Sequence, residues 1–160
     1  MNTSSALNAR FTAAIAALPL VALLRDITPG EVDAVGAVLY EAGFRLLEVP
    51  LNSPEPFTSI ALLRRALPAE ALVGAGTVLS TEQVERVLEA GGELAVMPHA
   101  DTQIIRAAKA AGLFCVPGVA TPSEAFAAAD AGADAIKLFP AQLVTPAVLT
   151  ATPAGLPKSP

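Results

Sequence analysis

The stretch Ala131–Pro140, which reads Ala-Gly-Ala-Asp-Ala-Ile-Lys-Leu-Phe-Pro, joins the end of a helix to a strand. Alanine followed by glycine is typical of a helix end, because glycine readily adopts the left-handed backbone conformation found there. The apolar run Ala135–Pro140 has the length and composition of a buried strand. The same junction occurs three times earlier, at Ala42-Gly43, Ala90-Gly91 and Ala111-Gly112. This repetition predicts alternating helices and strands.

Six short apolar segments are predicted as strands. They are Leu20–Arg25, Leu46–Leu51, Leu72–Val78, Leu94–His99, Phe114–Val119 and Ala135–Pro140. Helical segments lie between them, so successive right-handed βαβ units and a parallel sheet are expected. Thr28, Ser80, Asp101 and Thr121 stand where four of these helices are expected to begin, because short polar side chains cap helix N-termini.

Two architectures fit this pattern, a (β/α) barrel and an open doubly wound sheet. Polar or unusual residues fall near the C-terminal ends of five strands: Arg25, Glu48, Thr77, Pro98 and Lys137. A barrel builds its active site at that end from several strands, whereas an open sheet binds its ligand at one switch point. The distribution of these residues favours the barrel.

Length and composition restrict the possible functions. The chain has 160 residues, of which 53% are hydrophobic and 16% charged, as expected for one domain with a sheet buried on both faces. The net charge of −5 and the lack of a basic patch give no support for nucleic-acid binding. Cys115 has no second cysteine to pair with, and we expect a buried, inert thiol in a cytoplasmic protein.

The apolar segment Phe11–Leu24 is too short to span a bilayer and contains Pro19. We interpret it as a short helix leading into the first strand, and we expect no membrane partner.

Lys137 and Glu48 are the candidate catalytic residues. Each is a lone charge within an apolar strand segment, and such charges are rarely buried unless they are paired or used. Strand alternation places both side chains on the inner face, because their neighbours face the helices. Desolvation lowers the pKa of a lysine and makes its amine available as a nucleophile. A structural ion pair, or strand ends at which the charges reach water, are the alternatives.

An inward amine, a carboxylate and an arginine permit a specific chemistry. The amine of Lys137 can form an imine with a ketone, and the imine then accepts electrons when a neighbouring C–C bond breaks. Glu48 can move the protons that this reaction requires. Arg25, at the same level of the first strand, can bind a substrate carboxylate through two parallel hydrogen bonds. These roles predict a Schiff-base aldolase acting on a 2-keto acid.

Two other kinds of site receive less support. Metal-assisted cleavage requires a cluster of ligands, and the single histidine, His99, has only Asp101 nearby in sequence; we interpret it as a solvated loop residue. The segment Gly74–Val78 contains two glycines of a dinucleotide fingerprint but lacks the third. Its small residues would let a substrate approach the backbone, with Thr77 donating to the substrate carboxylate, or they would serve packing alone.

At these residues the chain resembles the KDPG/KHG aldolase family. The segments that carry the resemblance, in order along the chain, are Leu24–Pro29, Glu48–Pro54, Gly74–Leu79, Val116–Thr121 and Ile136–Pro140. The resemblance extends from about Leu20 to about Thr150. Asn52 points to the branch that acts on 2-dehydro-3-deoxy-6-phosphogalactonate, since the gluconate branch usually has an arginine there.

The resemblance implies the fold and the role of each site residue. It implies a (β/α)8 TIM-barrel type, usually trimeric and without metal or cofactor, that cleaves the phosphorylated keto-deoxy sugar acid to pyruvate and glyceraldehyde 3-phosphate. Lys137 would be the Schiff-base lysine and Glu48 the proton shuttle. Arg25 and Thr77 would bind the carboxylate end of the substrate. Pro98 and Phe139 would line the pocket, with plain packing as the alternative role for both.

The resemblance fades after Leu149, and the family's chain continues further. We therefore expect an incomplete barrel of about six βα units over residues 1–150 that lacks the last two strands, with weak or no activity, followed by a proline-rich irregular tail at residues 151–160. A close alternative is the gluconate-series or hydroxyglutarate aldolase on the same scaffold. A non-catalytic, flavodoxin-like binding module and a degenerate product without function are the remaining readings.

Overall fold

The computed structural model describes residues 3–143, with side chains from residue 6 onward. The six helices of this part are α1 Thr3–Ala17, α2 Val32–Glu41, α3 Pro56–Ala66, α4 Thr81–Glu89, α5 Thr102–Ala110 and α6 Pro122–Asp130. Its strands are β1 Ala22–Leu23, β2 Leu46–Pro50, β3 Leu72–Gly76, β4 Leu94–Val96, β5 Phe114–Val116, β6 Gly118–Val119 and β7 Lys137–Leu138. The expected tail lies outside the described residues.

The strands form a parallel α/β arrangement of barrel type. Five strands pair in the order β1-β2-β3-β4-β5, β6 pairs with β7, and every pairing is parallel. Within residues 3–143 the strands do not close into a barrel, and β1 and β7 have one strand neighbour each. The predicted fold class, with successive parallel βαβ units, is therefore confirmed. Among the described helices, none has the length and apolar character needed to cross a membrane.

The predicted fifth strand, Phe114–Val119, is divided into β5 and β6 by Pro117. Proline has no backbone N–H, so it cannot donate to the neighbouring strand. The carbonyl of Pro117 still accepts a hydrogen bond of 2.9 Å from the N–H of Lys137. The two sheets are thus consecutive parts of one curved arrangement, and the interruption is local.

All four alanine–glycine junctions end helices as predicted. Gly43, Gly91, Gly112 and Gly132 have φ between +77° and +99°, the left-handed region that glycine tolerates best. After α2, the N–H of Gly43 donates to the carbonyl of Tyr40, and the next N–H donates to the carbonyl five residues earlier. The same two bonds occur at the other three junctions. This is the Schellman arrangement, which uses carbonyls that the helix leaves free.

The predicted helix starts agree with the structure in three places out of four. Ser80, Asp101 and Thr121 cap their helices through side-chain oxygens, and Thr121 forms a capping box with Glu124. The remaining helix of these four, α2, begins at Val32 rather than near Thr28. Thr28 and Glu31 instead hydrogen-bond to each other within a turn that precedes α2. The pattern of residues is that of a cap, but it stabilises the turn.

Helix α1 covers the N-terminal end of the strands on their inner face. The first inward residues of β2 to β5 are Leu46, Leu72, Leu94 and Phe114, and all are buried. They pack against Leu7, Phe11 and Ala14 of α1. The helix is longer than the short helix expected within Phe11–Leu24, and it makes the base of the central space apolar.

Candidate active site

Glu48 and Lys137 both project from the inner face of the strands. The residues that flank them pack into the core between the strands and the outer helices: Leu47, Val49, Ile136 and Leu138. Successive side chains of a strand point to opposite faces, so Glu48 and Lys137 point inward. Glu48 lies on β2, one inward position above Leu46 and the apolar base. The predicted orientation of both side chains is therefore supported by the packing of their neighbours.

Glu48 is a charged residue almost without solvent contact, with 3% of its surface exposed. Burial raises the pKa of Glu48 above its usual value, and the positive charges of Lys137 and Arg25 partly oppose that rise. A carboxyl group in such surroundings holds its proton at a higher pH than an exposed one. Glu48 is therefore suited to give a proton as well as to take one.

Lys137 is half-buried and less enclosed than the apolar run around it suggested. In the described part of the chain, β7 pairs with β6 alone, so one side of Lys137 has no strand beside it. Its Nζ lies 4.9 Å from the centre of the Phe139 ring, within the range of a cation–π contact. Phe139 is 40% exposed and stands next to the amine.

The other predicted residues lie at the C-terminal ends of their strands. Arg25 follows β1 and is exposed, and its charge acts on Glu48. Thr77 follows β3 and is half-buried. Pro98 follows β4, and its backbone lies against Gly118, the residue paired with Lys137. The structure thus places all six predicted residues along one edge, with Lys137 and Phe139 in direct contact.

Backbone strain concentrates at this same edge. In the part of the chain that the structure describes, three residues other than glycine have left-handed backbone angles, namely Asp26 (φ 59°), Glu55 (φ 42°) and Thr77 (φ 59°). They lie in the connections that follow β1, β2 and β3. A β-branched residue such as Thr77 rarely adopts this conformation, and strained positions of this kind cluster at functional sites. The N–H of Asp26 also donates to the buried Oγ of Ser53, which ties the first two connections together.

The two glycines of β3 have different neighbours. A Cβ at Gly74 would lie 2.6 Å from the backbone carbonyl carbon of Leu94, so Gly74 allows β3 and β4 to approach. A Cβ at Gly76 would overlap Oε2 of Glu48 and lie 2.7 Å from its Cδ. The packing alternative describes Gly74, whereas Gly76 makes room for the carboxyl group of Glu48. Sequence reasoning missed this second role, because it depends on how β2 and β3 are aligned.

Asp101, the residue considered beside His99 for metal binding, has another role. Its Oδ1 accepts hydrogen bonds from the N–H groups of Gln103 and Ile104 as the cap of α5. His99 is exposed in a loop, as predicted. Within residues 3–143 there is no group of three or more histidine, cysteine, aspartate or glutamate side chains arranged to hold a metal ion.

The fold and the inward lysine and glutamate define a class, that of parallel α/β barrel-type proteins with a site at the C-terminal edge of the strands. The profile of one family, described as KDPG and KHG aldolase, matches residues 12–152. The chain belongs to this family.

Curated relatives include two galactonate-series aldolases. The probable 2-dehydro-3-deoxy-6-phosphogalactonate aldolase of Rhizobium meliloti is 49% identical over 139 residues, which cover 87% of this chain and 66% of the relative. The 2-dehydro-3-deoxy-6-phosphogalactonate aldolase of Escherichia coli is 47% identical over 141 residues, or 88% and 68% of the two chains. This chain therefore spans about two thirds of the length of these relatives.

Solved structures show the same relationship. A native KDPGal structure has a TM-score of 0.83 and 45% identity, covering 89% of this chain and 69% of the other. The KDPG aldolase of Legionella pneumophila, with pyruvate captured as a covalent carbinolamine intermediate, has a TM-score of 0.83 and 26% identity, covering 99% and 73%. The predicted family resemblance is confirmed.

Proposed function

We propose that this protein is a class I aldolase that cleaves 2-dehydro-3-deoxy-6-phosphogalactonate to pyruvate and glyceraldehyde 3-phosphate. The observation that carries the proposal is the buried carboxyl group of Glu48, which faces inward, as Lys137 does, and feels the lysine's charge. Membership of the family and the carbinolamine seen in a relative agree with this chemistry.

The first half of the reaction forms the imine. The Nζ of Lys137 attacks the ketone carbon of the substrate, and the carbinolamine that results loses its hydroxyl group as water. Glu48 in its neutral form supplies the proton for that departure, and its raised pKa keeps the proton available. The guanidinium of Arg25 and the hydroxyl of Thr77 hold the substrate carboxylate.

The second half breaks the carbon–carbon bond. The Glu48 carboxylate takes the proton of the substrate's C4 hydroxyl group while the C3–C4 bond breaks and its electron pair enters the imine. The products at this stage are glyceraldehyde 3-phosphate and an enamine on Lys137. Glu48 then returns the proton to C3 of the enamine, and water releases pyruvate from the lysine.

The galactonate series is the substrate class that the relatives favour. Among the solved structures, the native KDPGal structure is 45% identical to this chain, against 26% for the Legionella gluconate-series enzyme. Asn52, exposed after β2, stands where the gluconate branch usually has arginine. Turnover of the two C4-epimeric substrates, compared under identical conditions, tests this assignment; faster cleavage of the gluconate epimer contradicts it.

Trapping with borohydride tests the role of Lys137. Incubation of the 160-residue chain with pyruvate and borohydride is expected to give a stable adduct that peptide mapping places on Lys137. Lys137→Ala abolishes the adduct. Lys109→Arg is the matched control, because Lys109 is engaged by Asp134 at 2.5 Å and by the Leu113 carbonyl. Folded protein without an adduct, or an adduct on another lysine, overturns the proposal.

The family resemblance also supports a cytoplasmic homotrimer and one aldolase domain over residues 1–150. One core cluster that reaches from β1 to β7 agrees with the single domain. Light scattering on the purified chain tests the trimer, which a monomeric mass contradicts. Limited proteolysis tests the domain boundary, for which we expect cleavage confined to residues 151–160.

A further inference from the structure

We propose that Gly76 is a positioning residue for the carboxyl group of Glu48. The inference rests on the proposed function for what that carboxyl group does. The position of the carboxyl group itself depends on packing, and the effect of packing on stability can be measured by urea unfolding without substrate.

The alignment of β2 and β3 brings the two residues together. Glu48 pairs with Gly74, and Pro50 pairs with Gly76, so Gly76 lies one inward position further along its strand than the partner of Glu48. The side chain of Glu48 therefore reaches diagonally across to the neighbouring strand, toward the C-terminal edge. Its Oε2 occupies the place that a Cβ on Gly76 would take.

The carboxyl group has to shift to make room for a methyl group at Gly76, and its burial restricts where it can go. Glu48 is 3% exposed and has the apolar base of α1 and Leu46 beneath it. Gly76 is itself buried, and its carbonyl accepts a hydrogen bond of 2.9 Å from the N–H of Leu51, which ties the end of β3 to β2. A methyl group at Gly76 therefore moves the carboxyl group away from its present position, and with it the proton that Glu48 transfers.

A double-mutant cycle tests the packing. Gly76→Ala is expected to lower the equilibrium constant of folding roughly tenfold or more in urea unfolding, because inserted methyl groups in a full core are destabilising. In a Glu48→Ala background the methyl group has room, and the same substitution is expected to cost less than about threefold. An equal loss of stability in both backgrounds, or no loss of stability when Glu48 is present, overturns the proposal.

Gly74→Ala is the matched control, two residues away on the same strand and face. Its methyl group would meet the backbone of Leu94, which Glu48→Ala does not move, so most of its cost is expected to remain in both backgrounds. If Gly76→Ala does not fold, recovery of folding in the double variant Gly76→Ala, Glu48→Ala supports the proposal. Failure of that double variant to fold contradicts it.

Proton exchange separates positioning from general damage. With pyruvate, Glu48 sets the rate at which methyl protons exchange for deuterium. The final yield of adduct after exhaustive borohydride trapping depends on Lys137, because Glu48 affects how fast the imine forms and not how much of it is trapped in the end. Gly76→Ala is expected to slow exchange about tenfold or more while the yield of trapped adduct changes less than about twofold. A parallel loss of both overturns the positioning role. If the unsubstituted chain forms no adduct, the proposed function fails, and the stability cycle still decides the role of Gly76.

Discussion

The ring of Phe11 in α1 stacks on the ring of Phe114 in β5, with ring centres 4.0 Å apart and planes inclined by 18°. The stack joins α1, which precedes the repeating strand–helix units, to the layer formed by the first inward residues of β2 to β5. Next to it, Arg10 donates to Glu93 at 2.5 Å and to the carbonyl of Ala71 at 3.0 Å. Glu93 also accepts from Arg64 at 3.0 Å. The polar contacts therefore hold the helix where its aromatic ring seals the base.

Glu93→Gln is expected to loosen α1. The substitution removes the negative charge that binds both arginines, and hydrogen bonds between charged groups of this partly buried kind contribute about 1–2 kcal/mol. Hydrogen exchange of the α1 amides is expected to become faster, while exchange in β3 changes little. Arg65→Ala, at an exposed position of α3, is the control. Unchanged exchange in α1 contradicts a role for Glu93 in holding the helix.

Glu48→Gln is expected to change how stability depends on pH. Because burial raises the pKa of Glu48 in the folded state, the folded protein keeps a proton that the unfolded chain releases near its ordinary value of 4.5. The stability of the unsubstituted protein therefore falls as the pH rises from 4.5 through the folded-state pKa, by about 1.4 kcal/mol for each unit of the shift.

Glutamine has no proton to release, so the glutamine variant lacks this decrease. Urea unfolding at a series of pH values measures the difference, which is expected to grow in favour of the variant as the pH rises. Glu85→Gln on the exposed side of α4 is a control that should leave the pH profile in place. A constant difference across the series would show that Glu48 is not desolvated in the folded protein.

Gly112→Ala and Gly30→Ala form a matched pair that isolates backbone conformation. A Cβ at either position would meet no atom within 4 Å, but Gly112 has φ +81°. Alanine is strained in that region, so Gly112→Ala is expected to cost about 1–2 kcal/mol. Gly30→Ala is expected to change stability by less than about 0.5 kcal/mol, as surface substitutions usually do. Thermal unfolding measures both, and equal values would remove the conformational explanation.

Cys115 is expected to resist alkylation in the folded protein. Burial, reinforced by the negative charge of Asp134, raises the pKa of the Cys115 thiol to about 12. Since the thiolate is the reactive form, the folded protein is expected to react with iodoacetamide roughly a thousandfold more slowly at neutral pH than the urea-unfolded chain. Mass spectrometry follows the labelling. Comparable rates in the two states would mean that the thiol is accessible and ionised.

The sequence was sufficient for the parts of the fold that depend on local rules. Strand alternation predicted the inward orientation of Glu48, and glycine after alanine predicted four helix ends. The position of α2 was missed because Thr28 and Glu31 form the same contacts in a turn as they would in a helix cap. The enclosure of Lys137 was overestimated, because burial depends on neighbouring strands rather than on the apolar character of its own segment.

The role of Gly76 could not be predicted for a related reason. Two glycines in one strand look alike in a sequence, and only the register between β2 and β3 decides that one meets the Leu94 backbone and the other the Glu48 carboxyl group. The sealing role of α1 was hidden as well. Alanines occupy much of α1, so the stripe of Leu7, Phe11, Ala14 and Ile15 that packs on the strands stands out weakly in the sequence.

The four glycine turns lie on the opposite edge of the sheet from the site. They determine how each helix connects to the strand that follows it, and none of their residues is proposed to contact the substrate. The edge with the repeated glycine turns therefore serves folding, whereas the varied connections at the opposite edge serve catalysis. Directed evolution of substrate preference can therefore concentrate on the connections that follow β1, β2 and β3, since changes there leave the four glycine turns intact.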